Sequence, residues 1–150
     1  MLKEERRTLS GKNFGMAKYI YYFPLGRNDL FWGYHWHIKQ IVEQNEVILV
    51  EGEKSVMKLE TNNIYNAVAI GTSHLSKDQM KILLKLRVNV IMALDKDKEA
   101  SKDKNFLNLA KYNKCYIMED TDNLLEEKDA PIDKGIEVFR KIYEKRRLVQ

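Results

Sequence analysis

The chain is poor in the residues that build disulfide-rich, secreted or membrane-bound proteins. Its 150 residues include one cysteine, Cys115, two prolines, Pro24 and Pro131, and seven glycines. A lone cysteine excludes an intrachain disulfide framework and a cysteine-rich zinc site, and it suits a reducing compartment, so a cytoplasmic location is expected. No apolar run approaches the roughly 20 residues that a membrane-spanning helix requires, so no membrane partner is expected. The opening MLKEERRTLSGK has charges with no apolar stretch behind them, which argues against a secretory leader. There is no internal repeat, no low-complexity tract, and no G-x-x-x-x-G-K-[ST] loop of the kind that would mark a fused nucleotide-driven motor. Hydrophobic residues make up 44% of the chain, enough to form a core.

Charge is unevenly placed. Residues 1–28 hold Lys3, Arg6, Arg7, Lys12, Lys18 and Arg27 against only Glu4 and Glu5, which equals the whole net charge of +4. A basic arm beside a neutral body suits a polyanionic partner. A solvated tail fits the charge alone equally well.

From residue 46 onward, short apolar runs alternate with amphipathic stretches. Glu46 to Val50, Asn66 to Ile70, Val88 to Leu94 and Cys115 to Met118 read as strands, the first ending in the apolar β-branched run VILV and the first three closed by Gly52, Gly71 and Asp95. Lys54 to Asn62, a stretch opened by the capping pair Ser76 and Gln79, and Asn105 to Tyr112 read as helices. Lys134 to Arg147 reads as a closing amphipathic helix. This alternation predicts an α/β fold, with a four-stranded parallel sheet and helices on both faces. Residues 1–45 are aromatic-rich (YIYYFPLG, FWGYHWH) and read as the end of a neighbouring subdomain. His35 and His37 have no third ligand nearby, so aromatic packing is the better reading of HWH.

Ligands of open α/β sheets bind beyond the carboxyl ends of the strands. Glu51 follows VILV, and Asp95 and Asp97 follow VIMAL. In an extended segment residues i and i+2 point to one side, so Asp95 and Asp97 would face one cation, with Glu51 added from a neighbouring strand. A carboxylate cluster with no nitrogen or sulfur ligand suits Mg²⁺ or Mn²⁺. Gly71, Thr72 and Ser73 form a small-residue turn that reads either as a phosphate cradle or as a plain reversal.

VILVEGEKSV, NAVAIGTSHLSKDQ and VIMALDKDKEA together resemble the Toprim pattern in the version found in DnaG-type bacterial and phage DNA primases. AKYIYYFPLGRNDLFWGYHW is similar to the segment preceding Toprim in those primases, and EEKDAPIDKGIEVF to the closing segment of the phage type. The resemblance implies a Toprim, Rossmann-like fold over 46–123. Residues 1–45 would be a remnant of the basic RNA-polymerase subdomain, and 124–150 an acidic loop and helix completing the Toprim region. It also implies a magnesium-dependent nucleotidyl transfer that makes RNA primers on single-stranded DNA. Glu51, Asp95 and Asp97 would be the catalytic and metal-binding acids, Asp129 in K-D-A-P a further metal ligand, and Lys18 and Arg27 contacts to nucleotide or template, alongside Gly71, Thr72 and Ser73. Implied partners are the template, NTPs, a replicative helicase and a separate zinc-binding primase part. Ser55 stands where the pattern usually has an aspartate. The front of a full primase is not in this sequence, so a fragment or split primase with little activity alone is expected. A Toprim nuclease or topoisomerase, or a non-catalytic metal- and nucleic-acid-binding remnant, are the alternative readings.

Overall fold

The computed structural model describes residues 30–149. The first helix, α1 (Tyr34–Gln44), starts after Gly33, whose φ of 90° is open to glycine at little cost, and stops at Asn45 in the left-handed conformation. One turn apart, His37 and Ile41 face inward. The chain continues through β1 (Glu46–Val50), α2 (Glu53–Glu60), β2 (Ala67–Ala69), α3 (Lys77–Leu86) and β3 (Asn89–Met92). After a 3-10 turn at Ala100–Lys102 come α4 (Lys104–Leu109), β4 (Cys115–Ile117), α5 (Ile136–Glu144) and β5 (Arg147–Leu148).

The sheet order is β2-β1-β3-β4-β5. The first four strands are parallel, and β5 pairs antiparallel with β4. Parallel strands buried on both faces need apolar residues at every position, which explains the unbroken runs. Val47 and Leu49 of β1, with Val90 and Met92 of β3, pack into a cluster with Ile41, Leu83 and Phe106. Their alternates, Ile48, Val50, Ile91 and Ala93, pack on the other face with Val56, Leu59, Phe139 and Ile142. So α1, α3 and α4 cover one face, and α2 and α5 the other. From β1 the chain steps to β2 through α2, then returns across β1 to β3 through α3. Crossovers of one hand that reverse direction place their helices on opposite faces, as seen here.

The capping pair holds as expected: Ser76 Oγ accepts from Gln79 N at 3.1 Å, and Gln79 Oε1 accepts from Ser76 N at 3.0 Å. Gln79 Nε2 also donates to the carbonyls of Ile70 and Leu30, at 2.9 and 3.0 Å, which ties α3 to the end of β2 and to the segment before α1.

Two expectations need correction. The sheet has five strands rather than four, and the added edge is antiparallel. The closing helix ends at Glu144 rather than Arg147, because Arg146 turns over the rings of Tyr143 (4.1 Å) and Tyr116 (5.1 Å) and leads the chain into β5. The HWH segment is helical, with His35 exposed and His37 buried. His37 Nδ1 lies 2.7 Å from Ala67 O and Nε2 lies 2.8 Å from Glu60 Oε1, a packing role as expected. Phe31 is core and Trp32 bridges to Ala69, so the described part of residues 1–45 packs on the sheet.

Candidate metal centre at the strand tips

The chain steps to opposite sides of β1 when it forms β2 and β3, so the switch point lies between β1 and β3, at their carboxyl ends. Glu51 is the first residue beyond β1, and Asp95 lies three residues beyond β3. In register Leu49 pairs with Met92, and Ala93 N donates to Leu49 O at 2.8 Å. The two acids therefore stand on neighbouring strand tips, on either side of the switch point.

Their electrostatics show the proximity. The Asp95 carboxyl is pushed up to about 6, first by burial, then by the negative charges of Glu51, Asp133 and Asp97, against a lowering by Lys98. Glu51 Oε2 is buried and has no hydrogen-bond partner among the described residues. A buried carboxylate oxygen without a donor is costly, and a cation is one way to satisfy it. As placed, no three acidic, histidine or cysteine side chains among the described residues converge on one point. The donor set nonetheless fits a hard cation in chemistry: oxygen ligands only, mutual repulsion, and an orphaned buried oxygen.

Asp95 and Asp97 do not lie on an extended segment. Lys98 N donates to Asp95 O at 2.9 Å, so D-K-D-K is a tight turn, and proximity rather than strand alternation brings the two acids together. Asp97 Oδ2 is held 3.0 Å from Lys98 Nζ. Lys96 points the other way, into the acidic loop. It binds Leu125 O at 2.6 Å and Asp120 Oδ2 at 3.1 Å, and it also contacts Asn123 Oδ1. Asp120, whose side chain is 2% exposed, also accepts from the backbone N–H groups of Leu124 and Leu125. It therefore organises the loop instead of facing the acids. Asp122 pairs with Lys145.

Asp129 is likewise engaged. Its carboxylate accepts from Glu126 N at 2.8 Å and lies 3.3 Å from Lys134 Nζ, and these donors hold it below the usual carboxylate range. It reaches the D-K-D turn through its main chain, where its carbonyl accepts from Lys96 N at 3.0 Å. The acid of this loop that Asp95 senses is Asp133, itself bound to Lys58 at 2.7 Å and to Ala130 N at 2.9 Å. The K-D-A-P match drew sequence reasoning to Asp129, and no sequence signal ranked Asp133 above it. A cleft of about 300 Å³ opens beside Asp95, lined also by Lys98, Ser101, Met118 and Glu119.

Gly71 to Ser73 lie at the tip of β2, beside Glu51, whose carbonyl accepts from Gly71 N at 2.9 Å. Gly71 has φ 77°. Thr72 Oγ1 donates to His74 O at 2.7 Å, and Leu75 N donates to Asp103 Oδ2 at 2.6 Å, so local bonds fix this turn. Ser55, the residue that stands where the primase pattern usually has an aspartate, is buried in α2. Lys18 and Arg27 lie outside the described residues. No helix among the described residues is long and apolar enough to cross a membrane.

No protein-family model matches the chain, and no curated protein sequence matches it. Solved structures do. The Aquifex aeolicus primase (zinc-binding and RNA polymerase domains) superposes at a TM-score of 0.71 with 24% identity, over 92% of this chain and 36% of that one. The RNA polymerase domain of Mycobacterium tuberculosis primase DnaG gives 0.61 and 19%, over 89% and 48%. The E. coli primase catalytic core gives 0.59 and 20%, over 83% and 41%. The chain thus spans less than half of each of these three chains. With its parallel strands ordered about a switch point flanked by Glu51 and Asp95, the chain has the fold of the catalytic region of DnaG-type primases, the Rossmann-like Toprim fold.

Proposed function

We propose that the chain is the metal-binding part of a primase, acting in nucleotidyl transfer on a single-stranded DNA template. In that reaction a 3′-hydroxyl attacks the α-phosphorus of an incoming NTP, and pyrophosphate leaves. The observation that carries the reading is the pairing of Glu51 and Asp95 across the switch point, with Asp95 pushed up to about 6 partly by Glu51, Asp133 and Asp97. Glu51, through its orphaned Oε2, together with Asp95 and Asp97, would hold Mg²⁺ or Mn²⁺. Bound there, the cation supplies electrostatic stabilisation of the charge on the transferring phosphoryl and leaving groups. Asp129, tied to its own turn, supports the D-K-D loop through its carbonyl, and its carboxylate would join the metal only by leaving Glu126 N and Lys134. Lys18 and Arg27 are proposed to hold nucleotide or template phosphates, and Gly71, Thr72 and Ser73 to border the triphosphate.

The partner class is supported by one of the similar structures, a DnaG primase catalytic domain bound to single-stranded DNA, at a TM-score of 0.58 and 19% identity. A helicase and a separate zinc-binding part remain proposed partners of the same kind. Positioning supplies much of the catalysis in such reactions, and a misplacement of about 1 Å can cost on the order of 10²-fold, so slow turnover is expected from this chain by itself.

The test is NTP incorporation opposite a template from an annealed primer, with Mg²⁺ or Mn²⁺, for the wild type and for Asp95→Ala/Asp97→Ala. Slow, metal-dependent incorporation lost in the variant is expected. Incorporation that persists in the variant, or strand cleavage that depends on the same acids, would overturn the reading, the latter in favour of a nuclease.

A further inference from the structure

The charge of the folded body is separated along the molecule. Segments 79–94 and 104–118 carry six cations, Lys81, Lys85, Arg87, Lys104, Lys111 and Lys114, and no carboxylate. The loop of residues 119–133 carries seven acids and one lysine. That loop leaves the carboxyl end of β4, on the side of the strand-tip acids. The cations lie along α3 and α4, with Lys104 at the start of α4 and Arg87 and Lys114 at the opposite end of the sheet, where β3 and β4 begin.

These two helices pack side by side on one face of the sheet. Their ends are tied together: Asn113 Nδ2 donates to Val88 O at 2.9 Å and to Leu83 O at 3.3 Å, and Val90 N donates to Lys114 O at 2.9 Å. Arg87, the left-handed C-cap of α3, and Lys114, just before β4, therefore sit on adjacent strand entries, and neighbouring strands are roughly 4.8 Å apart. On α4, Lys104, Leu107 and Asn108 follow the i, i+3, i+4 spacing of a single face, Lys111 in the turn just beyond the helix donates to Asn108 Oδ1 at 3.0 Å, and all four are exposed. Tyr112 stands at the end of that ridge with 79% of its surface exposed.

The carboxylates nearest in sequence neutralise one of these cations, Lys81, and leave the other five. Asp78 pairs with Lys81, Asp103 is buried on the backbone N–H groups of Leu75, Asn105 and Phe106, and Glu119 pairs with Arg147. Complementing the helix dipole accounts for Lys85 and Arg87 at the end of α3. It does not account for Lys104, which stands in the first turn of α4, where a helix dipole disfavours a cation. Nor does it account for an almost fully exposed tyrosine among lysines.

We propose that the α3–α4 face is a second nucleic-acid contact, separate from the strand-tip acids. Its cations hold the phosphates of single-stranded DNA, and the Tyr112 ring stacks on an unpaired base. Cations that track a backbone, with an aromatic ring set among them, are what sequence-tolerant single-strand binding requires. An acidic protein segment would use the charges but not the exposed ring. The acidic loop at the far end repels the same strand, so the charge separation orients it with the cationic face inward. The inference goes beyond the proposed reaction and does not need it to be correct.

The test uses the full chain and a labelled oligothymidylate in EDTA, with affinity read by fluorescence anisotropy across a salt series. Lys85→Glu/Arg87→Glu/Lys111→Glu is expected to weaken binding by about tenfold or more and to reduce the salt slope by roughly 2, at about 0.7 per phosphate contact. The corresponding triple glutamine variant should move the same way by a smaller amount, which separates lost charge from misfolding. Tyr112→Ala should weaken binding by about tenfold at an unchanged slope, as loss of one stacked base would. Binding measured in EDTA needs no divalent cation, so failure of the metal reading leaves this result intact. Charge-altered variants that bind with wild-type affinity and slope would overturn the proposal. So would polyglutamate binding as tightly as oligothymidylate with Tyr112→Ala without effect, since that result would assign the face to an acidic protein.

Discussion

Replacing Asp95 by asparagine should stabilise the metal-free protein at neutral pH. The Asp95 carboxyl rises from 3.8 to about 6 in the folded chain, through burial and the negative charges of Glu51, Asp133 and Asp97. A folded-state value above the unfolded one means that the folded chain binds the extra proton. Stability therefore falls as pH rises through the window from about 4 to about 6, and the full penalty stands above it. At about 1.4 kcal/mol per tenfold in proton affinity the shift amounts to roughly 3 kcal/mol. Solvent screening at a strand tip reduces this to about 1–2 kcal/mol. Asparagine is nearly the same shape and carries no charge, so the variant escapes the penalty. For a chain of this length the gain corresponds to a Tm higher by roughly 3–6 °C. Melts in EDTA at pH 7.5 should show that difference, and at pH 4, where wild-type Asp95 is largely protonated, most of it should vanish. Adding Mg²⁺ at ten times a millimolar Kd should return about 1.4 kcal/mol to the wild type alone and narrow or reverse the order. Equal melting temperatures at pH 7.5 in EDTA, or a less stable variant, would refute the reasoning that burial and the neighbouring acids disfavour an ionised Asp95.

Three further perturbations follow from the geometry. Lys96→Met removes the ammonium shared by Leu125 O, Asn123 and the almost fully buried Asp120, leaving that carboxylate with backbone donors only. A loss of about 2–3 kcal/mol in chemical denaturation is expected, and a loss under 0.5 kcal/mol would show that the loop is organised without it. Gln79→Ala removes the return arm of the α3 cap and two bonds to Ile70 O and Leu30 O from a fully buried position, which should cost about 2–3 kcal/mol by the same measurement. Cys115 is buried and its thiol is pushed up to about 12 by burial, so a thiol reagent should label it only through unfolding. A labelling rate that rises with added denaturant in step with the unfolded fraction is the expected result, and rapid labelling of the folded protein would contradict the burial.

The fold was legible where the sequence obeys one rule over a whole element. Short, mostly apolar runs at 46–50, 66–70 and 88–94 fit burial on both faces, and the Ser76–Gln79 pair placed the start of α3 within one residue. The strand β5 was not legible, because two exposed residues carry no period and depend on Arg146 folding over Tyr143 and Tyr116. The α1 helix was hidden by its aromatic composition, which suits a strand as well as a helix. At the candidate site, Glu51 and Asp95 could be placed because a strand tip is a sequence position, and the register brings their tips together. The loop acids could not be ranked. Asp120, Asp129 and Asp133 differ in which N–H groups and lysines they meet, Asp120 turning to Lys96 and Asp129 to Lys134, and those partners are set by the loop path.

The central claim is that Glu51, Asp95 and Asp97 together hold a divalent cation. Mn²⁺ binding, read by loss of the free-ion electron paramagnetic resonance signal, tests it without any need for substrate. The account predicts saturable binding at millimolar Mn²⁺ by the wild type. It also predicts displacement by Mg²⁺, weakening as pH falls below about 6 when Asp95 takes up its proton, and loss of the site in Glu51→Gln and in Asp95→Asn. Binding of equal strength in the wild type and both variants would contradict it.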